Sequence, residues 1–165
     1  MNNQQYLPDY EDWIKNKAIQ DYIEENYCYG CGPLNQNGLQ LKSYWNGIDQ
    51  AVCIFRPKVH HCAGKKDIVN SGTLVTVMDC HCGCLAQAAE YKREGREPGS
   101  NPYILFVTAG SKMDFLKPTP LKEGLDIIFI ARIREIKGKK VILDCSVWAD
   151  SVQTAKGEVV SVRVG

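Results

Sequence analysis

Asp79 is the residue whose setting most demands an explanation. It lies between Val77, Met78 and Cys80 in the run TLVTVMDCHCGCLAQAA. An ionised carboxylate is costly to bury unless it is paired or hydrogen-bonded. One held in such a run suits general acid–base work or nucleophilic attack, and equally suits a structural hydrogen bond to a neighbouring strand. Just upstream stands Asn70-Ser71-Gly72. If the run is a helix, these residues open it, and its first backbone N–H groups lie free at the positive end of the dipole. A developing oxyanion is stabilised there. Asn70 and Ser71 are also ordinary helix-capping types, which explains both without a ligand.

Sulfur offers a second chemistry. Cys28-x-x-Cys31, His60-His61-Cys62 and Cys80-His81-Cys82-x-Cys84 carry enough donors for a tetrahedral zinc ion. Consecutive helical positions point apart, so in the last group only Cys80 and Cys84 share a face. No metal is therefore expected. The first residues, MNNQQYLPDYEDWIKNK, do not resemble a secretory leader. The eight cysteines are accordingly expected as reduced thiols in the cytoplasm, packing as small hydrophobes.

The elements that must position these groups follow from periodicity. From Thr73 to about Lys92 the chain has no Pro and one Gly, and its apolar residues cover nearly the whole circumference, which predicts a buried helix. Strand patterns are expected in 39–45 and 51–56, joined by a turn at Asn46-Gly47, and again in 104–115, 124–136, 139–149 and 154–164. Short connections such as Lys137-Gly138-Lys139 make the neighbours antiparallel, because parallel crossovers need a dozen or more residues. Residues 9–26 place Tyr10, Trp13, Ile14, Ala18, Tyr22 and Ile23 at near-helical spacings, which predicts an amphipathic N-terminal helix. The expected whole is a single α+β domain over 1–165, with 1–26 as a helical extension: about six antiparallel strands packed on one long helix.

Composition narrows the function. With 20 Lys plus Arg against 19 Asp plus Glu and no basic cluster, the chain is not built as a nucleic-acid binder. No segment approaches the ~20 apolar residues of a membrane span.

Several motifs in order resemble one family. Asn70-Ser71-Gly72, six residues, then Asp79 resembles the His-Gly-Gly, six residues, Asp pattern of hotdog-fold acyl-CoA thioesterases of the PaaI-like group. VTAGSKMDFLKPTP supplies Thr108, with Phe115 and Pro118 in the family's aromatic-x-x-Pro place. Cys28-Tyr29-Gly30-Cys31-Gly32-Pro33, with Asn35, Gly38 and Leu39, is similar to the family's lead-in, and the last two strand patterns match its closing hairpin. The likeness runs over about residues 27–164 and departs at Asn70, where His is usual, and at Ser71, where Gly is usual.

The resemblance implies a hotdog fold and hydrolysis of an acyl-CoA thioester to a free acid and coenzyme A. Coenzyme A would be part of the substrate, with no separate cofactor. Asp79 would act as general base or as nucleophile, and Thr108 would position water or carboxylate from the partner subunit. The amides of Ser71 and Gly72 would hold the thioester oxygen, with Asn70 capping the helix. Lys112, Lys117, Lys122, Lys139 and Lys140 are candidates for the coenzyme A phosphates. A homodimer or a tetramer is implied, since the family's sites lie at the dimer interface. The two departures motivate a second reading, a hotdog protein that binds an acyl thioester or another lipid-like ligand without hydrolysing it.

Overall fold

The computed structural model describes residues 7–165. Its sheet consists of β1 (Ser43–Trp45), β2 (Gln50–Phe55), β3 (Leu105–Phe115), β4 (Ile127–Lys137), β5 (Lys140–Ala149) and β6 (Val152–Val164). The order is β1-β2-β4-β5-β6-β3 and every neighbouring pair is antiparallel. The β4–β5 turn carries Gly138 at φ +56°, a conformation that costs glycine least. A single long helix, α1 (Ser71–Arg93), lies against the sheet. This is the hotdog arrangement, with every expected strand present.

Helix and sheet bury one another by the pattern read from sequence. Leu74, Val77, Met78, Cys82, Leu85 and Ala86 of α1 pack with Phe129 and Ala131 of β4, Leu143 and Val147 of β5 and Val159 of β6. Asn70 caps the helix, its Oδ1 accepting the Thr73 N–H at 3.1 Å. Contrary to the all-round apolar reading, α1 is not buried on every side. Asp79, Cys80 and Gly83 form a half-buried strip, because that flank faces a cleft rather than the sheet.

The N-terminal extension is helical only in short pieces. Two 3-10 helices, Trp13–Lys15 and Ile19–Tyr22, replace the continuous helix expected over 9–26. The apolar residues there serve two surfaces. Tyr10 and Trp13 cover the outer face of the sheet beside Val52, Ile128 and Trp148, whereas Ile19 enters the inner core. A straight helix cannot reach both faces, and the chain turns through extended backbone at Asn16 and Ala18. Gln20, fully buried, then ties this segment down. Its Oε1 accepts the Ser43 N–H at 2.8 Å and its Nε2 donates to Ser43 Oγ at 3.0 Å. Ser43 Oγ also meets His81 Nδ1 at 2.8 Å, and burial pushes that imidazole down to about 4.

The end of α1 is fastened by charge. Glu90, almost wholly buried, receives Arg93 Nε and Nη2 at 2.8 and 2.6 Å and Arg163 Nη1 from β6 at 2.7 Å. These guanidinium groups, Arg93 first, hold the Glu90 carboxyl below the usual carboxylate range against the opposing effect of burial. A carboxyl whose folded value is depressed contributes stability above its unfolded value and loses it as pH falls through the folded one. Glu90→Gln should therefore cost about 1–2 kcal/mol near neutrality, a modest sum because the arginines are partly solvated. The difference from wild type should shrink on acidification below the ordinary glutamate range. Urea unfolding at a series of pH values measures it, and a pH-independent difference would contradict the assignment.

Candidate active site

A cleft of about 480 Å³ opens between α1, the first residues of β3 and the segment 23–31. Asp79, Cys80, Gly83 and Gln87 reach it from the helix, and Phe106, Val107 and Thr108 from β3. Gln87 anchors the strand to the helix, donating to Tyr103 Oη at 2.7 Å and to the Ile104 carbonyl. Asp79 is half-buried on the cleft wall. Among the described residues it has no hydrogen-bond or ion-pair partner, so the structural hydrogen bond considered from sequence is not made. A half-buried, unpartnered carboxylate on a cavity wall is free to meet a water or an electrophile.

Thr108 lines the same cleft of the same chain. Just beyond Thr108 the strand carries a β-bulge. Thr108 pairs with Ser161 and Gly110 with Val160, which leaves Ala109 as the extra residue. Ser161 is fully buried, so Thr108 faces the helix side of the sheet. Plain alternation puts Gly110 on that face too, but the bulge moves it to the other. Bulges commonly re-aim a side chain in this way, and nothing in the local sequence announced this one.

Ser71 lies elsewhere. Together with Leu74, Phe115, Leu116 and Pro118 it borders a second cavity of about 420 Å³, at the helix start and the far end of β3. Gly72 is seven residues from Asp79, close to two full turns, so the two share a helical face about 10 Å apart along the axis. Within one chain Asp79 and Thr108 line the same cleft, whereas Asn70, Ser71 and Gly72 lie at the other end of the same edge. A further cavity of about 560 Å³ contains neither group; Arg56, Lys58, His60 and His61 line part of it.

Gly83, one turn beyond Asp79, was not singled out in the sequence. A Cβ there would meet nothing within 4 Å, so its absence widens the cleft floor without being required by packing. Gly83→Ala should raise stability by about 0.5–1 kcal/mol through helix propensity. Gly83→Phe should keep the fold while excluding ligand from the cleft. Thermal unfolding and ligand titration separate the two effects. Of the lysines considered for phosphate contact, Lys112 lies 3.4 Å from Asp114 and Lys122 lies 3.9 Å from Asp150, both well exposed.

Neither a family model nor a curated protein matches this chain. Solved structures do. A thioesterase superfamily protein from Shewanella loihica PV-4 is 31% identical, over 88% of this chain and 99% of that one, with a TM-score of 0.64. The Escherichia coli PaaI protein from the phenylacetic acid degradation operon aligns over 77% of this chain and 81% of that one, at 16% identity and TM-score 0.59. A Streptococcus mutans protein solved with acetyl-CoA aligns over 76% and 89%, at 13% identity and TM-score 0.59. The last two share the fold; the first, at its identity and coverage, shares the family. With a PaaI-like hotdog fold and that relative spanning nearly its whole length, the chain belongs to the thioesterase superfamily.

Proposed function

We propose that the protein hydrolyses acyl-CoA thioesters, with Asp79 as the group that activates water or attacks the carbonyl. The observation that carries this reading is the free Asp79 carboxylate on the cleft wall, with Thr108 on the same cleft. Membership of the thioesterase superfamily supports the reaction class, and the acetyl-CoA bound to the S. mutans relative supports the ligand class by analogy.

The reaction needs an electrophilic contact as well as a base. The amides of Ser71 and Gly72 are suited to it. Asn70 satisfies the Thr73 N–H and leaves the first amides of α1 open, and one oxyanion donor contributes about 3 kcal/mol in comparable sites. These amides lie at the Phe115 end of β3, and Asp79 at the Leu105 end. If two copies pair their β3 edges antiparallel about a two-fold axis, each helix start faces the Asp79–Thr108 cleft of the other copy. We therefore infer a homodimer built on β3, with two equivalent sites at the interface. In this arrangement Thr108 orients water or carboxylate within its own chain, and the amides come from across the axis. Attack gives a tetrahedral intermediate whose oxygen rests on those amides. Its collapse expels the coenzyme A thiolate, which takes up the proton Asp79 removed from the attacking water. Where Asp79 itself attacks, the thiolate takes its proton from solvent, and a water then cleaves the acyl–Asp79 anhydride to the free acid, restoring the carboxylate.

A thiol-release assay over acyl-CoAs of several chain lengths tests this. Turnover of at least one chain length is expected. Saturable acyl-CoA binding with no thiol release at any length would favour a non-catalytic binder, the reading motivated by Asn70 and Ser71.

A further inference from the structure

The proposed hydrolysis leaves four thiols at one side of the cleft without a role. Cys28 and Cys31 come from the loop before β1, and Cys80 and Cys84 from successive turns of α1. The sulfurs of Cys28, Cys31 and Cys80 all lie within 4.8 Å of one another, and Cys28 and Cys80 stand 3.6 Å apart. A tetrahedron with Zn–S bonds of ~2.3 Å has edges of about 3.8 Å. One pair is thus already near the edge length and the third sulfur within about 1 Å of it. A disulfide would use two of these thiols and explain nothing about the third.

The backbone is shaped around the sulfurs. A Cβ at Gly30 would come 2.2 Å from Cys80 Sγ, so only glycine lets the loop approach this closely. A Cβ at Gly32 would come 2.4 Å from the Cys28 nitrogen, and the Gly32 N–H closes the turn on the Cys28 carbonyl at 2.9 Å. Amide donors face the sulfurs as well. Asn26 Nδ2 donates to Cys31 Sγ at 3.7 Å while its Oδ1 accepts the Cys28 N–H at 3.0 Å. Gln20 Nε2 donates to Cys84 Sγ at 3.2 Å. Thiolates accept such bonds better than thiols do.

We propose that Cys28, Cys31, Cys80 and Cys84 bind one zinc ion as a closed tetrathiolate site that staples the loop of residues 26–34 to α1. The all-sulfur donor set selects zinc over hard cations such as magnesium and calcium. Binding forms four Zn–S bonds and releases the thiol protons to solvent, with no change of oxidation state. Cys84 lies one turn beyond Cys80 on the same helical face and lines the same cleft, and a side-chain rotation would offer its sulfur as the fourth ligand. This revises the expectation of no metal. That expectation turned on the divergence of consecutive helical positions, whereas Cys80 and Cys84, which share a face, are joined by the loop pair Cys28 and Cys31.

The test uses the full chain, purified under reducing conditions, reconstituted with zinc and desalted. Elemental analysis should give about one zinc per chain, falling below a tenth in Cys28→Ser and in Cys80→Ser, with circular dichroism to confirm that both fold. Cobalt reconstitution should give thiolate-to-metal charge-transfer absorption, weakened by about a quarter in Cys84→Ser. Less than a tenth of an equivalent in wild type, or wild-type binding in both serine variants, overturns the site. An unchanged Cys84→Ser spectrum overturns its four-thiolate form. Asp79→Asn should retain the metal in full, so loss of hydrolysis and loss of zinc report separately on the two proposals.

Discussion

Asp79→Asn is expected to lower kcat for acyl-CoA hydrolysis by roughly 10²–10⁴-fold, the range for loss of a positioned base. The exchange keeps shape and removes only the charge and basicity. Because the Asp79 carboxylate has no partner among the described residues, no ion pair is broken and the change in unfolding free energy should stay within about 0.5 kcal/mol. KM should move little, since a group acting mainly in the transition state contributes little to ground-state binding. Steady-state thiol release beside thermal unfolding checks all three. Equal kcat in mutant and wild type would remove Asp79 from the mechanism.

Val107→Lys is expected to yield a monomer at micromolar concentration and to reduce turnover about tenfold or more. β3 is an edge strand of eleven residues, most of them exposed, with Leu105 at 47%, Val107 at 45% and Phe115 at 50% exposure. A long edge bearing apolar side chains invites pairing, and an edge lysine is the device by which sheets prevent it. Activity should fall with assembly, because the amides of Ser71 and the Asp79 cleft lie at opposite ends of that edge. Sedimentation velocity and thiol release on the same sample measure both effects. A monomer that keeps full turnover would show that one chain holds a complete site.

The strands and the helix were legible because their signal is local. Alternation from 104 to 115 and the apolar run after Asn70 gave β3 and α1 to within about two residues, and Asn70 proved to be the cap. Three features were not legible, for one shared reason. The N-terminal segment carries helix-like spacing, yet Trp13 and Ile19 are claimed by opposite faces of the sheet, a demand set by tertiary packing. The bulge at Ala109 depends on how β6 pairs with β3, so parity counting placed Gly110 on the wrong face. The sulfur cluster joins Cys28 and Cys31 to Cys80 across about fifty residues, and spacing within one element says nothing about that. For Asp79 the all-round apolar pattern of the helix suggested too buried a setting. It stands at the margin of a cleft, where a carboxylate costs less to keep and is easier to reach.

A crystal structure with a non-hydrolysable acyl-CoA analogue tests the central claim most directly. The account predicts the carbon that replaces the thioester carbonyl about 3–3.5 Å from the Asp79 carboxylate or from a water held by it. The adjoining oxygen should point at the Ser71 and Gly72 amides of the facing copy. An analogue seated instead in the cavity beside Arg56, His60 and His61, remote from Asp79, would contradict it.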